Sequence, residues 1–347
     1  MKKSVTFRNK KNTVSFQLET KTMLMLGLLV FFVLLACITG PSLGNKLISP
    51  LEVVKTIVGQ GTGGNEFIVM QSRLPRTLVS LLVGAALGIS GLILQGIVRN
   101  PLAAPDIIGV TGGASVFAVA FLTYLAGSVS IGWMPAAAIT GALIVSVFIY
   151  TMAWKNGVTP IRLVLIGIGI SAIMSALTTF MIVVSSAVTA SQAYLWLTGS
   201  IYGASWEDVY TMSVLVLILT PLALIFSRSL NSQQLGDEVA LGVGVRVQKD
   251  RFILLGISVV LAGAAVAAVG AIGFVGLIAP HIARTLVGRT FGSLAAASAL
   301  TGGLLLFMAD LTARTIFYPI DIPAGVFTAG VGAPFFLYLL FKNRNQF

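Results

Sequence analysis

Met23-Leu24-Met25-Leu26-Gly27-Leu28-Leu29-Val30-Phe31-Phe32-Val33-Leu34-Leu35-Ala36-Cys37-Ile38-Thr39 contains no charged residue. It is long and apolar enough to be read as a membrane helix. Lys2, Lys3, Arg8, Lys10, Lys11 and Lys21 precede it, an arrangement that signal peptides share, and Leu34-Leu35-Ala36-Cys37 loosely resembles a lipoprotein cleavage box. Many further apolar runs follow, so an uncleaved first helix is the expectation and Cys37 reads as an ordinary apolar residue within it.

The rest of the chain has the same character. Hydrophobic residues make up 56% of 347 and charged residues 10%, with a mean hydropathy of +0.98. Soluble domains carry about 25% charged residues. No soluble fold can hide this much apolar surface, whereas a bilayer is itself an apolar solvent. The single cysteine rules out an internal disulfide and leaves the redox compartment open. The expected fold is all-α and polytopic, with about ten transmembrane helices.

Breaks between apolar runs place these helices near 23–40, 77–98, 107–126, 134–154, 163–184, 209–227, 252–271, 274–287, 293–313 and 323–341. The division at Ala271-Ile272-Gly273-Phe274-Val275-Gly276 carries no charge, so one long kinked element is an alternative there. The expected organisation is an N-terminal cytoplasmic segment (1–22), a single transmembrane domain (23–341) with a cytoplasmic loop at about 228–251, and a cytoplasmic tail (342–347). Ten spans with both ends cytoplasmic put Lys46, Lys55, Arg73, Arg76 and Arg314 outside and the other seventeen basic residues inside. That bias follows the positive-inside rule, so the net charge of +11 reads as orientation rather than as nucleic-acid binding. Small-xxx-small pairs at Gly84/Gly88, Gly109/Gly113, Gly199/Gly203 and Gly288/Gly292 read as close helix packing. Pro75, Pro101, Pro105, Pro280, Pro323 and Pro334 read as helix ends or breaks.

Energy-converting chemistry is missing from the sequence. The middles of the spans hold almost no acidic, His or Lys residue of the kind that ion-coupled carriers use. Asp310 and Arg314, four apart near the end of one helix, are placed to pair. His281, the only histidine, follows Pro280 near a helix end and reads as structural. One histidine without a cysteine partner is a poor metal site. There is no Gly-x-x-x-x-Gly-Lys-Ser/Thr loop, so ATP binding in the P-loop manner is excluded. Gly40-Pro41-Ser42-Leu43-Gly44 matches Gly-x-Ser-x-Gly but follows a membrane helix rather than a strand. Catalytic and metal residues are therefore expected to be none, and another chain must supply the work of any pumping.

Two polar features stand out. Arg73-Leu74-Pro75-Arg76 sets two guanidiniums around a proline, a stiff corner suited to carboxylates; a pair of interfacial anchors is an equal reading from spacing alone. Leu235-Gly236-Asp237-Glu238-Val239-Ala240, among Arg228, Arg246, Lys249 and Arg251, reads either as a short amphipathic helix for a cytoplasmic partner or as a solvated loop.

Those two stretches belong to a longer series of motifs: Gln95-Gly96, Arg99-Asn100-Pro101-Leu102-Ala103, Ile108-Gly109, Gly112-Gly113-Ala114, Trp196-Leu197-Thr198-Gly199-Ser200, Gly273-Phe274-Val275-Gly276-Leu277-Ile278-Ala279-Pro280-His281-Ile282-Ala283-Arg284, Ala309-Asp310, Arg314 and Gly332-Ala333-Pro334-Phe335-Phe336. In this order the chain resembles the FecCD-type permeases, the membrane subunits of ABC importers for ferric siderophores, haem and cobalamin. The resemblance implies a second permease chain, identical or paralogous, and two cytoplasmic ABC ATPases that carry ATP and magnesium, no cofactor being bound by this chain. It also implies an extracytoplasmic binding protein or lipoprotein, and a place in the cytoplasmic membrane of a bacterium. It assigns docking of that binding protein to Arg73, Arg76 and Arg314, and ATPase coupling to the 230–246 region with Leu235, Gly236, Asp237, Glu238 and Ala240. Met174, Phe180 and Met181 are assigned to the translocation path. Where the family has Glu-Leu-Pro-x-Gly this chain has Asp321-Ile322-Pro323-Ala324-Gly325, so an ion pair there is expected to be rearranged. Leu241 stands where a basic residue is common. The expected function is a ferric-siderophore permease, with haem or cobalamin as alternative cargo and a secondary transporter of another class as the rival reading.

Overall fold

The computed structural model describes residues 4–8, 15–61 and 64–342. Lys2, Lys3, Lys10, Lys11 and Arg344 lie outside the described residues, as does the expected tail beyond Lys342. The chain opens on an antiparallel hairpin of β1 (Ser4–Arg8) and β2 (Ser15–Glu19), with Ser4 opposite Glu19 and Arg8 opposite Ser15. This hairpin was not legible as a structured element in a segment read only for its charges.

Everything that follows is helical. α1 (Thr20–Ser42), α2 (Pro50–Ile57), α3 (Leu74–Val98), α4 (Val110–Ala120), α5 (Met134–Ala153), α6 (Pro160–Val184) and α7 (Ala187–Thr198) make the first half. α8 (Trp206–Ile225), α9 (Ser227–Gln233), α10 (Asp237–Gly242), α11 (Val247–Val269), α12 (Val275–Val287), α13 (Phe291–Ile316) and α14 (Ala324–Lys342) make the second. Among the described residues, eight helices are long and apolar enough to cross a membrane, and two shorter apolar ones, Val110–Leu125 and Val275–Val287, complete the expected ten.

Helix boundaries follow from local chemistry. Pro75 sits where a wide π-helical turn, Ile68–Arg73, passes into α3, and that wider turn accommodates its missing N–H. Ser205 caps α8 by a reciprocal bond with Asp208. α11 ends at Gly270, whose φ of +78° a side chain disfavours. The extended stretch that follows separates α11 from α12, so the kinked-element alternative is not what forms. Pro280 and Pro334 lie inside α12 and α14 rather than at their ends. Apolar surroundings hold those helices together where one backbone hydrogen bond is lost.

α3 and α11 form the buried centre, while α1, α6, α8 and α14 keep mostly exposed apolar faces. A side chain at Gly84 would strike the carbonyl of Gly302 at 2.2 Å, and one at Gly88 that of Ser298 at 2.3 Å. A Cβ at Gly91 would fall 1.8 Å from the carbonyl oxygen of Gly276. This seam therefore brings α3 into backbone contact with α13 and α12, the packing that Gly84/Gly88 foretell. Gly288 and Gly292 face open space instead, so their spacing does not mark a packed pair. Ser90 and Ser258 share a buried hydroxyl contact of 2.7 Å between α3 and α11, which satisfies two polar groups inside the bundle.

α4 and α12 are half-helices. A Cβ at Gly276 would meet Pro105 at 3.0 Å and the carbonyl of Leu87, halfway along α3, also at 3.0 Å. The segment after α3 thus climbs back to mid-depth before α4 begins, and α12 begins at the same depth. Non-helical backbone is tolerated there because it is packed in protein.

Candidate functional site

One end of the bundle gathers the charged residues that the sequence singles out. Arg76, in the first turn of α3, is forked between two carboxylates. Its Nε donates to both Asp310 oxygens (2.9 and 3.0 Å) and its Nη2 to Asp310 Oδ1 at 2.7 Å. Its Nη1 and Nη2 donate to Asp321 at 2.6 and 2.8 Å. Asp310 is almost fully buried, with a side chain only 2% exposed, whereas that of Asp321 is 29% exposed. The pair that sequence spacing favours, Arg314 with Asp310, exists but is longer, at 3.6 Å. Arg314 spends its Nη donors on the carbonyls of Gly40 (2.6 Å) and Leu43 (3.1 Å) at the end of α1.

Arg73 is buried and donates to the carbonyl of Pro41 at 2.9 Å. The three arginines converge at one corner but turn inward: they tie α1, α3, α13 and the segment before α14 together. Asp321 keeps an ion pair despite its shorter arm. Tyr202 lies with its ring 6.0 Å from the Arg76 guanidinium carbon and is itself exposed.

The opposite end carries α9 and α10. Leu235 and Glu238 are exposed, with Val239, Leu241 and Val243 adding apolar surface, and Ala240 is buried. Gly236 precedes α10 with φ +122°. Asp237, the first residue of α10, accepts from Arg99 Nη2 at 2.7 Å and from Arg251 Nη2 at 2.9 and 3.0 Å. Arg251 has no exposed surface and also donates to the Val158 carbonyl at 2.5 Å. The short helix is thereby fixed at once to α3, to α11 and to the α5–α6 turn. Arg251 as the buried centre of this joint was missed; one basic residue among four in a charged loop gives no signal of burial.

Of the three path candidates on α6, Met174 and Met181 lie seven apart on the face turned to α4, and Phe180 lies off that face. Met174 packs against Gly112 of α4, and Met181 against the cluster of Val119, Leu122, Ile182 and Ala193. Phe180 is 61% exposed and points elsewhere. A carboxylate at mid-depth was also missed. Asp106, just before α4, is exposed in the single chain, accepts a hydrogen bond from Thr111, and has its backbone carbonyl bonded by Ser171 Oγ at 3.2 Å. Ionisable groups at such depth face water-filled space or protein rather than lipid. Its place before a predicted span start, not inside one, hid it.

Residues 28–342 match the FecCD transport family. The achromobactin transport system permease protein CbrC of Dickeya dadantii is 46% identical over 331 residues, which cover 95% of each chain. A Bacillus subtilis permease named for siderophore transport, YfhA, is 44% identical over 92% of this chain and 96% of its own. Among solved structures, a metal-chelate type ABC transporter in an inward-facing conformation superposes with a TM-score of 0.80 at 30% identity, covering 92% of this chain and 99% of that one. Sequence motifs, helix order and superposition agree over nearly the whole length, and this multi-pass helical chain belongs to the FecCD transport family.

Proposed function

We propose that this chain is the permease subunit of a bacterial ABC importer for a ferric siderophore, working by alternating access. The observation that carries the reading is its 46% identity, across 95% of both chains, to a permease named for transport of achromobactin. Two permease chains would form the path, identical or paralogous, and two cytoplasmic ABC ATPases holding ATP and magnesium would drive it. The α9–α10 surface supports ATPase coupling. It presents apolar side chains to a partner, while Asp237 links them rigidly to α3 and α11. The basic bias of that end supports a cytoplasmic orientation.

The Arg76 end then faces outward and receives a substrate-binding protein. At this corner three guanidiniums meet two carboxylates, a local excess of one positive charge that favours an acidic partner group, while Glu52, Glu66, Glu207 and Asp208 offset it elsewhere on the same end. Because Arg73, Arg76 and Arg314 spend their donors within the chain, their part is to frame that surface and set its field. Arg76→Lys keeps the charge and loses the fork. It is expected to lower stability while preserving the salt dependence of docking; loss of that salt dependence with the fold intact refutes the field role.

The test of the whole reading is reconstitution in proteoliposomes with the ATPase, the second permease and the binding protein. Ferric siderophore should stimulate ATP hydrolysis and accumulate inside, and both should need this chain. Stimulation by haem or cobalamin instead overturns the cargo; chelate uptake without ATPase overturns the mechanism.

A further inference from the structure

The end of the bundle that carries α9 and α10 holds a second feature, bordered by Ser227 and Asn231 on the side of α9 toward α13. An open pocket of about 970 Å³ lies between the start of α1, the end of α12 and the start of α13. Lys21, Arg284 and Arg289 line it, with Glu19 as the one carboxylate among the lining residues. None of the three basic residues has a hydrogen-bond or ion-pair partner among the described residues, and the charges of Arg284 and Arg289 repel each other. Three cations against one carboxylate leave the pocket positively charged and suited to an anion from outside.

The backbone adds to that demand. α1 and α13, both long helices, begin at this pocket, and neither is capped by the side chain of its N-cap residue. Their first-turn N–H groups lack intrahelical acceptors and carry the positive end of each helix dipole. Phe291 N–H is taken by Asn231, but Gly292 and Ser293 line the pocket next to it. Paired helix starts with guanidiniums make a phosphate-type site.

The surroundings select the source of that phosphate. α1 turns Leu24, Leu28, Phe31 and Leu35 outward as exposed apolar residues, a face suited to acyl chains. Basic pockets between membrane helices at the cytoplasmic surface are where anionic headgroups bind. We infer that this pocket holds the phosphate of an anionic phospholipid of the inner leaflet, with Lys21, Arg284 and Arg289 as its cationic ligands and the starts of α1 and α13 as its backbone donors. The leaflet rests on the proposed orientation; the binding does not rest on transport.

The test measures lipid retention by native mass spectrometry and thermal melting of the full chain, exchanged into bilayers of phosphatidylglycerol or of phosphatidylcholine. Retention and melting temperature should be higher in phosphatidylglycerol. Arg284→Gln with Arg289→Gln should weaken retention by about tenfold for each lost charge-assisted contact. Gly292→Asp is the second variant, since a side chain there meets open space and an acid in a first helical turn favours the helix. It should keep the fold and still abolish the preference. Equal retention of both lipids, or a preference that survives Gly292→Asp, overturns the inference. Inorganic phosphate reproducing the whole melting shift in phosphatidylcholine assigns the pocket to free phosphate and overturns the lipid.

Discussion

Replacing Arg76 by Met tests the corner that the structure builds from sequence-distant charges. The side chain fits in length but removes five hydrogen bonds to two carboxylates. The two acids respond differently. Asp321, partly exposed, turns to water and costs little. Asp310, with 2% of its side chain exposed, is left with Arg314 at 3.6 Å as its nearest cation. Breaking one side of a buried pair costs about 3–5 kcal/mol, because the remaining charge stays buried without compensation.

At about 2 °C per kcal/mol for a chain of this size, the melting point in detergent should fall by roughly 5–10 °C. Removing both charges, as Arg76→Met with Asp310→Leu, is expected to recover part of that loss, since it removes the stranded acid but leaves the buried Arg314 with only its carbonyl partners. The assay is a double-mutant cycle on thermal unfolding, with a coupling of about 2 kcal/mol or more expected between the positions. If the single variant melts within about 2 °C of the native chain, or the double variant is no better than the single, the pair does not hold the corner.

Other consequences are as specific. Gly91→Ala drives a methyl group into the backbone of Gly276 and should cost about 3 kcal/mol or more, read as loss of folded chain after extraction; a normal yield and melting point would mean that α12 can move aside. Asp237→Ala frees Arg251 and Arg99 from their shared acid, so ATP hydrolysis should continue while chelate transport per ATP falls about fivefold or more; unchanged stoichiometry refutes the joint. Asp106→Asn keeps a side chain able to bond Thr111 and drops the charge, so transport should slow with no change in melting point if Asp106 faces the path; normal transport in both Asp106→Asn and Asp106→Leu places it elsewhere.

The long spans were legible because hydropathy records what a helix surface must touch, and all ten apolar segments fall where the runs predict. Gly84 and Gly88 were legible for a related reason: small residues at helical spacing have few roles besides close approach. Depth was not. Nothing in the composition of 107–126 or 274–287 says that those helices start halfway across, because that depends on where Pro105 and Gly276 meet. Pairing across the chain was hidden too. The i,i+4 rule pointed to Asp310 and Arg314, whereas the stronger partner of Asp310 is Arg76, 234 residues away. α7 escaped notice because it is short and falls between two clearer runs.

The two short helices limit how much of the membrane each one crosses. α4 with the π-helical turn that continues it, Val110–Leu125, spans at most about 24 Å and the 13 residues of α12 about 20 Å, against roughly 30 Å of hydrocarbon. Neither crosses the hydrocarbon alone, and the stretch before α4 meets the start of α12 at Pro105 and Gly276. Two short helices that abut in this way can shift one at a time. A full-length helix in either place would have to move as one rigid rod across the whole membrane.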